Sequence, residues 1–281
     1  MRAKRSVCLL FAATAFAATS VSCSTPDYGT GSEKTNNGSN KAVAKGENAA
    51  GGQKPKAAPE FFSAGKSLDL HVIMDKSGSL WVDPKNPTLM SSGSDPNCKR
   101  LDALLDLVDG LRTKLNKGEF VRLTVVTFGN GSAVVGSIPD LLKETREAIN
   151  NKLRPGVCEF PGQLETTNYA KGITASLAKL RELRMLKKLD VETNLFFSDG
   201  AAKDRPDELE IAINQLNSEF PKRVFGVLLG STSDNCKLTK DGRALSTIEC
   251  LVKVAGDATD KVIQSNDAAG LSAAMTSLLE K

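Results

Sequence analysis

The chain has 281 residues, 37 of them Lys or Arg and 33 Asp or Glu, with a single histidine. Its formal charge of +4 is unevenly held: Arg2, Lys4 and Arg5 sit at the start, residues 24–60 add five lysines against four acids, and residues 61–281 are neutral. A neutral domain lacks the basic footprint of nucleic-acid binding. With His71 as the lone imidazole, a histidine-based catalytic site or metal site has almost nothing to draw on.

The first 23 residues, MRAKRSVCLLFAATAFAATSVSC, pass from basic to apolar to small side chains. That is the three-part form of a secretory signal. Thr14, Thr19 and Ser20 break the apolar stretch, which is too short and polar for a good membrane span. A hydrophobic N-terminal anchor is the other reading. The end of the segment, with Val21, Ser22 and Cys23, resembles the lipobox of bacterial lipoproteins. That resemblance implies cleavage before Cys23, a lipid on its sulfur and attachment to a membrane. Residues 24–60 are rich in Gly, Asn, Ser, Ala and Lys. Too little apolar surface is present there to offset the entropy of ordering, so a flexible tether is expected. The location implied is the bacterial cell envelope (outer membrane or periplasm in a Gram-negative cell), or the medium if Cys23 carries no lipid.

From Leu68 the chain alternates strand-like and helical patterns. Residues 68–74 form an apolar strand candidate. Leu101, Leu104, Leu105, Val108, Leu111 and Leu115 recur at helical spacing and predict a helix over 99–116. VRLTVVTF, residues 121–128, is β-branched and stops at Gly129. A helix is expected over 141–153, with Pro155-Gly156 as punctuation. Tyr169, Ile173, Leu177 and Leu180 mark another, and 191–197 a strand. Pro206 opens a helix carrying Leu209, Ile213 and Leu216, as a first-turn proline should. Strands at 223–229 and 261–264 and a terminal helix over 268–279 complete the series. Such alternation implies a mostly parallel sheet with helices on both faces, a doubly wound α/β domain over 61–281. The near-continuous apolar strands agree, since strands covered on both sides read that way.

In these sheets ligands sit at the carboxyl ends of the strands. Asp75, Ser77 and Ser79 follow the first strand there, Asp199 follows NLFFS, and Thr167 precedes a helix on the same edge. Each alone is more often a cap or a turn. Together they are five oxygen donors with no imidazole or thiolate. An all-oxygen set with two carboxylates suits a hard divalent cation, Mg²⁺ first, with Mn²⁺ or Ca²⁺ as alternatives.

LDLHVIMDKSGSL resembles the opening strand and DxSxS loop of the von Willebrand factor A (vWA) domain. TNYAKGI is similar to that family's metal-site threonine and following helix, and LFFSDG to its aspartate-glycine strand end. The three pieces stand in the family's order. The resemblance implies a metal-ion-dependent adhesion site, or MIDAS. Ser77, Ser79 and Thr167 would be hydroxyl ligands, and Asp75 and Asp199 would bind directly or through water. It implies recognition of a protein ligand whose acidic side chain completes the coordination, with no bond broken. Thr166 is the neighbour open to confusion with Thr167; Gly172-Ile173 falls at the family's small-apolar position when Thr167 is chosen. Ser198 would point away from the metal.

Cys98, Cys158, Cys236 and Cys250 follow the leader. An even number in an exported chain points to two disulfides, and the order permits three pairings. Metal binding competes, but no CxxC spacing exists. Given the vWA arrangement, Cys98–Cys158 would restrain two ligand-bearing loops and Cys236–Cys250 would close a local one. Trp81 opens a long Pro- and Ser-rich loop ending at Cys98, and is either a packed side chain or a contact for a partner. His71 belongs to the interior of its strand, and the basic run from Lys179 to Lys188 to a solvated helix end. Two other functions compete with the binding module. One is an ion-free scaffold. The other is a phosphatase of the haloacid-dehalogenase type, which needs an aspartate where Ser77 stands.

Overall fold

The computed structural model describes residues 60–82, 93–116, 119–160, 166–230 and 234–280. The expected leader, Cys23 and all but the last residue of the expected tether lie outside them. Six strands form one sheet in the order β3-β2-β1-β4-β5-β8. They are β1 (Leu68–Asp75), β2 (Val121–Phe128), β3 (Ser132–Ile138), β4 (Val191–Ser198), β5 (Val224–Leu229) and β8 (Val262–Ser265). β6 (Asn235–Lys240) and β7 (Arg243–Ser246) make a separate two-stranded sheet. The helices are α1 (Lys99–Lys114), α2 (Arg146–Cys158), α3 (Tyr169–Leu186), α4 (Pro206–Glu219), α5 (Thr247–Val254) and α6 (Leu271–Thr276).

β1, β2 and β4 are parallel and β1 is buried along its whole length. Its side chains alternate between two cores. Leu68, Leu70, Val72 and Met74 pack with α1, α2 and α6, whereas Ile73 packs with α3, α4 and α5. This is the doubly wound arrangement. The connection leaving β1 runs to β2 on one side, and the connection leaving β4 runs to β5 on the other. The crevice at the carboxyl ends of β1 and β4 is therefore the topological switch point, where such sheets bind ligands. α3 lies close on β1 and β2 because residue 172 is glycine. A Cβ there would come within 2.8 Å of Phe128 Cδ1 and 2.9 Å of Ile73 Cγ2.

Several elements depart from the sequence expectation. β3 pairs antiparallel to β2 at the sheet edge. The 141–153 helix instead starts at Arg146, because the Thr145 hydroxyl caps it at Ala148 N–H, and it continues through Pro155 and Gly156 to Cys158. Ile149, Leu153 and Val157 keep its buried stripe intact across the proline. The β6–β7 hairpin and α5 were not expected, and the terminal helix is shorter than 268–279, a single α segment followed by a 3-10 turn. The disulfides are Cys98–Cys158 and Cys236–Cys250, with Cα atoms 5.5 and 6.4 Å apart. Among the described residues no helix is long and apolar enough to cross a membrane.

His71 is fully buried beneath α3, its Nε2 3.4 Å from Asp69 and its Nδ1 3.5 Å from Ser176 Oγ. Burial disfavours the Asp69 carboxylate, yet the neighbouring His71 ring and the hydrogen-bonded Arg122 guanidinium leave its pKa below the ordinary value. In the basic run, Arg184 pairs with Glu192 and Glu219, and Lys179 with Glu182.

Candidate metal centre

The first piece of the site is the turn after β1. Asp75 accepts the Ser77 N–H on Oδ1 at 2.7 Å, which folds Ser77 and Ser79 back over the strand end. The two serine hydroxyls stand 3.1 Å apart. The second piece follows β4. Ser79 donates to Asp199 Oδ1 at 2.9 Å, and Ser198 donates to Asp75 Oδ2 at 2.5 Å. Strand pairing brings the two pieces together, since Met74 and Phe197 are register partners.

The third piece is the loop before α3. Asn168 caps that helix at Lys171 N–H, and the Tyr169 and Ala170 N–H groups donate to Asp204 at 2.8 and 2.9 Å. Lys203 N–H donates to Thr167 O at 2.8 Å, and the Tyr169 hydroxyl to Gly200 O at 2.7 Å. Thr167 is thereby held against the loop after β4. A Cβ on Gly200 would stand 3.2 Å from Thr167 Oγ1 and 3.8 Å from Ser79 Oγ, so glycine leaves open a space that both hydroxyls border. Thr166 faces elsewhere and donates to Asn130 Oδ1 at 2.6 Å. All five sequence-selected side chains are brought to one place.

Asp75 and Asp199 are buried at 0% and 7% exposure. Burial, followed by repulsion from Asp199, pushes the Asp75 carboxyl up to about 7. Burial also raises Asp199, against the opposing effect of hydrogen bonds from Ser94 and Ser79. Two carboxylates in a dry crevice are unfavourable as bare anions and favourable around a cation. The donor set fits a hard divalent ion: every facing atom is an oxygen, and three of the five are hydroxyls. Among the described residues no group of three His, Cys, Asp or Glu side chains could hold a metal. This separates the crevice from thiolate, imidazole or acid-rich sites.

Ser198, expected to point away from a metal, donates its hydroxyl to Asp75 Oδ2. Two residues of the cluster, Ser94 and Asp204, are not singled out by the sequence. Ser94 donates its hydroxyl to Asp199 Oδ2. Asp204 fixes the start of α3. Trp81, considered as a partner contact, is 8% exposed and lies in the core, with Arg100 5.1 Å from its ring and Phe160 edge-on. Its area is already covered by this packing.

No protein-family model and no curated protein sequence matches the chain. Solved structures do match in fold. Proximal thread matrix protein 1 from the mussel byssus is similar at 16% identity over 76% of this chain and 47% of its own, with a TM-score of 0.51. A second structure of that protein, described as having a zinc-occupied MIDAS motif, scores 0.50. The PilB minor pilin of Streptococcus sanguinis is 10% identical over 76% of this chain and 61% of its own, with a TM-score of 0.51. The pilus adhesin SpaC of Lactobacillus rhamnosus GG is 11% identical over 76% of this chain and 30% of its own, also at 0.51. The chain thus spans about half the length of the mussel protein.

Proposed function

We propose, from the premise that this domain has the von Willebrand factor A fold, that it is a binding module working through a divalent cation. The observation that carries the reading is the convergence of five oxygen donors from three chain segments on the switch-point crevice. Ser77, Ser79 and Thr167 would offer hydroxyls, and Asp75 and Asp199 would bind directly or through water. Mg²⁺ suits the set best, with Mn²⁺ or Ca²⁺ as alternatives. When bound, the cation would supply a Lewis-acidic centre with a coordination position that the three hydroxyls and two carboxylates leave open, and an acidic side chain of a protein partner would fill it. The turn after β1, the end of β4 and the loop before α3 would hold the ion at the carboxyl edge of the sheet.

Binding is favoured over catalysis by what surrounds the site. His71 lies under α3 inside β1 and does not face the crevice. Ser77 occupies the place where a phosphatase of the haloacid-dehalogenase type needs an aspartate. The two disulfides suit an exported chain, and the leader suggests export with a lipid on Cys23. The test is thermal melting of the purified protein with EDTA, Mg²⁺ or Mn²⁺. A cation should raise the melting temperature of the wild type and leave Asp75→Ala and Asp199→Ala unmoved. No shift at millimolar ion would favour an ion-free scaffold. Hydrolysis of a phosphate ester, lost in Asp75→Ala, would establish an enzyme instead.

A further inference from the structure

We infer that Ser94 is a positioning residue of the metal centre, and that the Cys98–Cys158 bond fixes the arm that presents it. The inference rests on the divalent-cation reading above. It starts from how the chain returns toward α1. Gly93 N–H donates to Trp81 O at 3.1 Å, Ser94 N–H to Ser79 O at 3.0 Å and Asp95 N–H to Leu80 O at 2.9 Å. These backbone bonds lay Ser94 beside Ser79, itself one of the five donors. The Ser94 hydroxyl then reaches Asp199 Oδ2 while Ser79 holds Oδ1. Both oxygens of one carboxylate are thus fixed by hydroxyls from two passes of the chain.

The arm behind Ser94 is locked in three ways. Asp95 accepts the Lys99 and Arg100 N–H groups at the start of α1, at 2.5 and 3.0 Å. Arg100, with no exposed surface, pairs with Asp95 Oδ2 at 2.8 Å and donates from Nη2 to Val157 O at 2.6 Å. Cys158, the next residue, is bonded to Cys98. A buried ion pair, a buried hydrogen bond and a covalent bond therefore tie residues 93–98 to the end of α2. Such rigidity is more than a surface turn needs. It holds one serine hydroxyl against a carboxylate 105 positions away in sequence. Two hydroxyl donors restrict rotation of the Asp199 carboxylate, and hydrogen-bond partners of metal ligands commonly govern affinity.

Mn²⁺ titration of the purified protein, followed by calorimetry or by the spectrum of free Mn²⁺, tests this. Ser94→Ala should weaken Mn²⁺ binding roughly tenfold, with the melting temperature in EDTA little changed, and Ser94→Thr should restore affinity. The pair Cys98→Ser/Cys158→Ser should weaken binding, but by less than Ser94→Ala, because Asp95 and Arg100 still hold the arm. The triple variant should bind as Ser94→Ala does, because the disulfide acts on the metal only through that contact. Cys236→Ser/Cys250→Ser, in the core under the opposite face of the sheet, should lower stability and leave affinity intact. Wild-type affinity in Ser94→Ala would overturn the role of Ser94. Losses that multiply in the triple variant would overturn the link to the disulfide. A wild type that takes up no Mn²⁺ would overturn the metal centre itself, a distinct result.

Discussion

Replacing Asp75 by asparagine removes one charge from the crevice and keeps its shape. In protein stripped of divalent ions, the Asp75 carboxyl is pushed up to about 7 from an ordinary 3.8, by burial first and by the Asp199 charge second. The folded state then holds its proton more tightly than the unfolded chain. A raised carboxyl contributes stability that is present at low pH and is lost as pH climbs from the unfolded value through the folded one. Three pH units at about 1.4 kcal/mol each set a ceiling of about 4 kcal/mol on the strain at neutral pH. Asparagine relieves it without orphaning a neighbour. Its Oδ1 can keep the Ser77 N–H, and its amide can donate to Ser198 Oγ, whose proton turns to Gly200 O, 3.1 Å away. With half the ceiling realised, about 2 kcal/mol, Asp75→Asn should melt about 4–8 °C above the wild type in EDTA at neutral pH. The gap should shrink at pH 5, and Mg²⁺ should raise only the wild type. A variant that melts below the wild type in EDTA, a gap that ignores pH, or a full Mg²⁺ shift in the variant would refute the reasoning.

Gly172→Ala should destabilise the fold by about 1–3 kcal/mol through overpacking of Phe128 and Ile73, read from denaturant midpoints. Gly200→Ala should act on the metal instead. Its Cβ would enter the space beside Thr167 Oγ1 and Ser79 Oγ, so Mg²⁺ affinity should fall roughly tenfold, about 1.4 kcal/mol, with a smaller change in the EDTA melt. Asp204→Ala leaves the Tyr169 and Ala170 N–H groups without their acceptor, and should cost about 1–2 kcal/mol in chemical denaturation. Losing Cys98–Cys158, which spans 60 residues, should lower the melting temperature more than losing Cys236–Cys250, which spans 14.

What could be read from the residues divides along physical lines. β1, β2, β4 and β5 are covered on both faces, so their apolar runs are continuous and their limits are nearly legible. β3 is largely exposed at its start and forms because the edge of β2 offers unpaired backbone, which no local pattern announces. The β6–β7 hairpin did carry a signal. Asp241-Gly242, with φ of 52° and 76°, is the kind of pair that tight hairpin turns select. α2 starts later than its apolar pattern suggests because the Thr145 hydroxyl caps it, and it runs on through Pro155 because Ile149, Leu153 and Val157 keep one buried stripe. At the site, the donors adjacent to strand ends were legible from spacing and order. Ser94 and Asp204 were not, because each acts on a segment distant in sequence, and only folding creates the contact. The burial of Trp81 likewise depends on Arg100 and Phe160, which arrive from α1 and from beyond α2.

The most direct measurement is the anomalous difference map of a crystal of this protein soaked in Mn²⁺. A single strong peak within bonding distance of the Ser77, Ser79 and Thr167 hydroxyls, beside Asp75 and Asp199, is the predicted result. A crevice showing only water at saturating Mn²⁺, or a peak bound elsewhere, would contradict the account.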